Sequence, residues 1–250
     1  MYKKLNLAMD IGEGMLVSGA EVHRVEDSIG RICRAFGAER VDCFIITSSI
    51  VVTVHTPEGE TETETRRIIK SSNDFYKLDE LNRLSRQICA GLSDEDVIRE
   101  RIDRILSSNG YPLPVEVLVY TLIAGSFTAF FGGDLAQILV SSVIGAVLRF
   151  LVMLSDATVR NTIFSKFICS AAVTLLTFTS LKLGIIPQSD EVIIGNIMLL
   201  IPGLGLTNAI RDLFTGDSLA GTLRTLEAVL CAIGIAGGYL VVSLAIGGAV

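Results

Sequence analysis

From residue 112 to residue 250 the chain alternates long apolar segments with very short loops. Of its 48 Asp, Glu, Lys and Arg residues, 14 lie in that stretch and 34 in the first 111. The asymmetry predicts a water-soluble amino-terminal domain, 1–111, and a membrane-embedded domain, 112–250. The expected fold class is an α-helical polytopic membrane protein of about five transmembrane helices with an amino-terminal cytoplasmic α+β domain. Such a chain works as a transporter, a channel, an intramembrane enzyme or an assembly factor.

Composition narrows this further. Half of the residues are apolar and mean hydropathy is positive, which a soluble domain of this size rarely shows. The net charge of −6 comes with no basic run to track phosphates, which disfavours nucleic acid as a partner. Cys33, Cys43, Cys89, Cys169 and Cys231 are scattered and show no C-x-x-C spacing. They read as ordinary thiols in a reducing compartment, with no metal or disulfide framework. Asp10 and Glu13 interrupt the first apolar residues, so no cleaved export signal is expected and the soluble part should stay in the cytoplasm.

In the soluble part, Leu5, Ala8, Met9, Gly12 and Leu16 fit one side of a helix over 4–17. Val22, Val25, Ile29, Ile32 and Phe36 predict a second helix over 20–36. The β-branched runs 41–47 and 50–56 predict strands, Pro57–Glu60 a turn, and the alternation of Thr61–Thr65 an exposed third antiparallel strand. Helices are expected over 74–90 and 94–106, the latter with Ser93 and Asp96 as a capping pair and Asn109-Gly110 closing it.

Five spans are expected in the membrane part: Val115–Phe131, Leu135–Leu154, Ile163–Leu183, Val192–Ile210 and Leu219–Ala249. With the soluble domain inside, Arg149, Arg160, Lys166, Arg211 and Arg224 fall on the cytoplasmic side and Lys182 outside, as the positive-inside rule requires. The carboxy terminus is then extracytoplasmic, which suggests half of a transporter.

The fourth span is the unusual one. Val192–Ile201 reads as an apolar run too short to cross alone, Pro202-Gly203-Leu204-Gly205 breaks it, and helix resumes through Arg211-Asp212. Such breaks free backbone groups that cannot stay bare in lipid, and transporters aim half-helix ends at anions. On the resumed helix Asn208, Arg211 and Asp212 are neighbours, so Arg211 could meet a carboxylate and Asp212 an ammonium. A re-entrant turn with Arg211 and Asp212 facing water is the competing reading. Arg224 and Glu227 read as an ion pair, with each other or with Asp212 and Arg211. Gly234-x-x-x-Gly238 marks close packing against a helix of this chain or a partner. Glu21, His23, Arg24, Glu26 and Asp27 read first as a solvated, salt-bridged face and second as a catalytic cluster.

Several of these stretches together resemble the threonine/serine exporter family. They are Gly19-Ala20-Glu21 through Arg24-Val25-Glu26-Asp27, Arg40-Val41-Asp42, Leu78-Asp79-Glu80-Leu81-Asn82, Pro202-Gly203 through Asn208-Ala209-Ile210-Arg211-Asp212-Leu213, Gly216-Asp217, and Arg224 through Glu227-Ala228. The resemblance covers nearly the whole chain. It implies export of small hydrophilic metabolites across the cytoplasmic membrane by a multi-pass protein, without enzyme activity or cofactor.

Fused family members carry a second group of spans. The end at Val250 matches split members, in which a second small membrane subunit supplies those spans and a dicarboxylate such as succinate is exported. The expected partners are therefore that subunit, the lipid bilayer and a small carboxylate substrate, with further copies of this chain as an option. The resulting expectation is a secondary exporter subunit for amino acids (threonine, serine) or dicarboxylates. Arg211 would hold the carboxylate with the amides near Gly203 and Gly205, Thr207 and Asn208 would supply hydrogen bonds, and Asp212 or Glu227 would carry a coupling proton. Two alternatives stand: a membrane-anchored, hydrolase-like enzyme using Glu21, His23 and Glu26, and a non-transporting scaffold subunit.

Overall fold

The computed structural model describes residues 1–69, 72–108, 110–158 and 161–246. Asn109, Arg160 and Ala249, each used in the expectations above, lie outside the described residues. The chain forms two compact units. One holds Met1–Gly110 and Leu204–Leu226; the other holds Tyr111–Gly203 and Glu227–Val250. Hydropathy alone suggested one boundary near residue 111. The segment 204–226 departs from it because its charged side chains find their partners among amino-terminal elements.

In the first unit, α1 (Tyr2–Val17) and α2 (Val22–Ala35) are joined by a tight turn. The Gly19 and Ala20 amides donate back to Leu16 and Met15 carbonyls, a Schellman closure that needs the positive φ of Gly19. A three-stranded antiparallel sheet follows in the order β1 (Arg40–Ile46), β2 (Ser49–His55) and β3 (Thr61–Arg67). Ile50, Val52 and Val54 of β2 point inward and are fully buried with Val22, Val25, Ile29 and Ile32 of α2. The helices α3 (Phe75–Cys89) and α4 (Glu95–Leu106) complete this core with Leu81, Ile98 and Ile102.

One local expectation changes. The cap of α4 is Asp94, whose carboxylate accepts from the Asp96 and Val97 amides; a carboxylate one residue later than Ser93 reaches the free first-turn N–H groups. The inner face of β3 is not apolar. It carries Glu64 and Arg66, and Arg66 pairs with Glu64, Asp10 and Glu13. The unit is finished by α9 (Gly203–Thr215), which belongs to it from Leu204 onward, and by the first turns of α10 (Ser218–Ile246).

In the second unit, α5 (Leu113–Phe130), α6 (Leu135–Thr158) and α7 (Thr162–Lys182) are long and apolar enough to span a bilayer, and so is α10. These are four such helices among the described residues, where five spans were expected. The stretch expected as the fourth span is instead two short helices, α8 (Asp190–Ile197) and α9, with residues 198–202 unwound between them. Each is shorter than a bilayer crossing, because Pro202 has no N–H for the ladder and cannot sit in a helix interior.

Helices here approach through glycine. A Cβ on Gly145 of α6 would lie 2.8 Å from the Tyr120 carbonyl of α5. One on Gly238 of α10 would lie 2.3 Å from the Phe167 carbonyl of α7, and Gly234 similarly abuts Ile163. The Gly234/Gly238 pair is thus used within this chain. Large apolar side chains such as Leu118, Leu122, Leu139, Leu240 and Leu244 remain exposed.

Candidate functional site

The α1–α2 turn leaves the carbonyls of Gly19 and Ala20 without helical partners. They are taken by the carboxy-terminal segment of the same unit: Asn208 Nδ2 donates to the Gly19 carbonyl at 3.0 Å, and an Arg224 guanidinium nitrogen donates to the Ala20 carbonyl at 2.8 Å. One residue on, Glu21 occupies the N-cap position of α2 and its carboxylate pairs with Arg211. Two sequence motifs separated by about 190 positions therefore meet at one turn.

Asp212 lies at the centre of this cluster. It is fully buried and its carboxylate has Arg224 Nε at 3.5 Å. Burial raises its pKa; the Arg224 charge and the Val22 amide at the amino end of α2 lower it, and Asp217 and Glu21 raise it again, leaving a net upward shift. Arg224 is itself mostly buried, so Asp212 and Arg224 form a desolvated pair. Arg211 differs: its side chain is 60% exposed.

The spacing argument holds for Asn208, Arg211 and Asp212, which share one helix. The ion pair of Arg224 is made with Asp212, one of its two expected partners, while Glu227 is exposed. Gly203 opens α9 in open surroundings, Gly205 is half-buried, and Thr207 is exposed. Along α2, His23 and Arg24 are exposed and Asp27 pairs with Arg31. Glu26 is half-buried, and burial and Asp217 raise its pKa against a hydrogen bond from the Ile45 backbone and the influence of His23. Glu21 and His23 therefore take different surroundings and do not converge as a nucleophile–base pair would. No group of three or more His, Cys, Asp or Glu able to hold a metal occurs among the described residues. Burial pushes the Cys33 thiol up to about 12 and the Cys43 thiol up to about 11, which keeps both protonated at neutral pH.

A second polar cluster, unforeseen from sequence, lies inside the helical unit. Thr128 of α5, Ser141 of α6 and Asn196 of α8 are fully buried. Thr128 donates to Ser141 at 2.6 Å, Asn196 Nδ2 donates to Ser141 at 2.8 Å, and Ser141 donates to the Ala124 carbonyl at 3.1 Å. Gly195 makes this contact possible, since a Cβ there would sit 2.2 Å from Thr128 Oγ1. The missed signal was Asn196 itself, an amide inside a run read as apolar.

The comparisons with known proteins settle the family. Residues 6–247 match the model of the family described as "Putative threonine/serine exporter". The chain belongs to the threonine/serine exporter family. It is a family of transporters and not of enzymes. This member is 25% identical to the threonine/serine exporter of Corynebacterium glutamicum over 94% of its own length and 49% of that protein. It is 24% identical to a probable threonine/serine exporter of Mycobacterium tuberculosis over 96% of its length and 45% of the relative. The chain thus spans about half the length of these two exporters. It is also 25% identical to the probable succinate transporter subunit YjjP of Escherichia coli, over 87% of this chain and 85% of that one. No solved structure matches the chain.

Proposed function

We propose that this chain is one subunit of a secondary exporter that moves small amino acids or dicarboxylates out across the cytoplasmic membrane, a separate subunit supplying the remaining spans. Arg211 carries the reading. It is held by a carboxylate, Glu21, and stays more than half exposed, so the carboxylate of a cargo can take the place of Glu21. That exchange frees the N-cap residue of α2 and loosens the turn that Asn208 and Arg224 hold. Thr207 and the amides near Gly203 and Gly205 complete the cargo site, and Asp212, with its raised pKa, carries the coupling proton. Glu227 serves as the second proton-carrying candidate.

Parity of crossings supports five passes and an outside carboxy terminus. With the amino-terminal domain cytoplasmic, α5, α6 and α7 leave the chain outside. In this reading residues 190–203 return through the membrane and α10 leaves it again.

A second reading rests on the same pair. If Glu21–Arg211 is a permanent clasp, the chain is a scaffold for its partner. The two separate in an export assay with the partner co-expressed. Arg211→Ala should insert normally, since an exposed pair contributes about 0–1 kcal/mol, yet export should fall at least about tenfold. Unchanged export assigns the pair to the clasp and ends the cargo role of Arg211.

A further inference from the structure

We propose that β3 is a docking edge for a second copy of this chain: two β3 strands pair antiparallel about a two-fold axis at Glu64, joining two amino-terminal units through one continuous sheet. The pairing lies within the first unit and stands whether or not Arg211 meets a cargo.

The backbone prepares it. The Thr56 N–H donates to the Glu60 carbonyl and the Ile68 N–H to the Ser48 carbonyl, both at 2.9 Å. These bonds flank an unbroken register between β2 and β3, from Ser49 opposite Arg67 to His55 opposite Thr61. Hydrogen-bonded and non-bonded pairs alternate along an antiparallel ladder, so Glu62, Glu64 and Arg66 turn their backbone groups to β2. The N–H and C=O groups of Thr61, Thr63, Thr65 and Arg67 therefore point away from the sheet. Strand β3 ends the strand order, and those four residues make no backbone hydrogen bond outward among the described residues. The opposite edge differs, because there the Glu26 carboxylate takes the Ile45 N–H of β1. Proline, lysine or a bulge would blunt such an edge, and β3 carries none of them.

The side chains choose the occupant. From Thr61 to Arg67 the acidic residues, Glu62 and Glu64, come before the basic ones, Arg66 and Arg67. An antiparallel copy reverses that order, so acid meets base. With Glu64 on the axis, Glu62 lies opposite the partner's Arg66 and Thr63 opposite the partner's Thr65, each twice by symmetry. The same register sets outward-facing backbone against outward-facing backbone, at 61 with 67 and at 63 with 65.

Inward-pointing charges protect an edge when covering it would leave them unpaired. Here they already lack partners: Glu62 Oε2, Glu64 Oε2 and Arg66 Nε are buried without a hydrogen-bond partner among the described residues. A Glu62–Arg66 contact between copies supplies one to each side. The single like-charge pair, Glu64 with itself, is softened by protonation. Burial raises the Glu64 pKa against the Arg66 charge, and Asp10 and Glu13 add to the rise. The competing occupant is a strand of another subunit.

The test is the oligomeric state of the full chain in detergent, read by light scattering on a sizing column. The wild type should be a dimer. Thr63→Pro deletes an outward N–H and no bond to β2, so it should give a folded monomer. Glu62→Arg puts like charges opposite each other at both symmetric positions and should raise the dimer Kd at least about tenfold. In a Cys89→Ser background, Glu64→Cys should join two copies by a disulfide, because the axial residue alone meets itself and a non-bonded pair brings Cα atoms to about 4.5 Å. Thr65→Cys should not. A monomeric wild type, a dimer that survives Thr63→Pro, or a disulfide at Thr65→Cys in place of Glu64→Cys overturns the proposal. Association that appears only with the second membrane subunit present overturns it too and gives the edge to that subunit. If Thr63→Pro does not fold, Glu62→Arg carries the comparison, and an unchanged Kd overturns the pairing.

Discussion

The two units bury polar groups with a different balance of charged and neutral partners. The first uses full charges in pairs: Arg66 among Asp10, Glu13 and Glu64, and Arg224 against Asp212. The second carries the pair Arg149–Glu116 between α5 and α6 and otherwise relies largely on neutral groups that return their hydrogens to nearby carbonyls. There Thr174 donates to Ser170, Thr177 to Val173, Ser170 to Ile235, and Thr128, Ser141 and Asn196 bond one another. Glycine serves both units in both ways: Gly19 and Gly132 turn the chain at positive φ, while Gly12 and Gly14 of α1, like Gly145 and Gly238, sit where another element leaves no room for a Cβ. Apolar burial contrasts too, because large side chains fill the core of the first unit and face outward from the second.

The sharpest way to break this comparison is to leave a charge alone. Arg224→Met strands the fully buried Asp212 carboxylate and should destabilise the first unit by about 3–5 kcal/mol, with much of the loss recovered in Arg224→Met combined with Asp212→Leu. Denaturant unfolding of both variants checks it; an equal loss in the two would mean that the pair itself stabilises the unit. A smaller effect is expected in the second unit. In Gly238→Ala the new Cβ meets the backbone of α7, which cannot yield as a side-chain tip can, and overpacking of this kind costs about 1–3 kcal/mol. Thermal unfolding in detergent should register that loss, and an unchanged midpoint would show that α7 and α10 have room to separate.

The mildest effect is on pH. The carboxyls of Glu13, Glu26, Glu64 and Asp212 all have pKa values raised chiefly by burial. The folded unit therefore binds these protons more tightly than the unfolded chain. Their contribution is most favourable below the ordinary values of 3.8 and 4.5 and is lost as pH rises through the higher folded values. The unit should melt at a higher temperature near about pH 5 than near about pH 8. A higher midpoint on the alkaline side would instead make the favourable pairing of these carboxylates dominant.

Much of the fold was legible. Period-3.6 and period-2 patterns placed α1, α2, β1 to β3, α3 and α4 within a few residues, because each buries one apolar face and its spacing repeats. Hydropathy located α5, α6, α7 and α10 equally well. The candidate site was legible as residue types and not as pairings: nothing local says that Arg211 meets Glu21, or that Arg224 holds both Asp212 and the Ala20 carbonyl. Asn196 was passed over because a single amide was read as part of the apolar run Val192–Ile201.

The sequence by itself determined where apolar faces lie, which segments are apolar, and where Pro202 breaks the helix, since these depend on side chains within one or two turns of each other. Only the tertiary structure decided that residues 204–226 join the amino-terminal unit and that Thr128, Ser141 and Asn196 share one point. Partners of that kind lie on separate elements, and the requirement that each buried polar group find one is met across space.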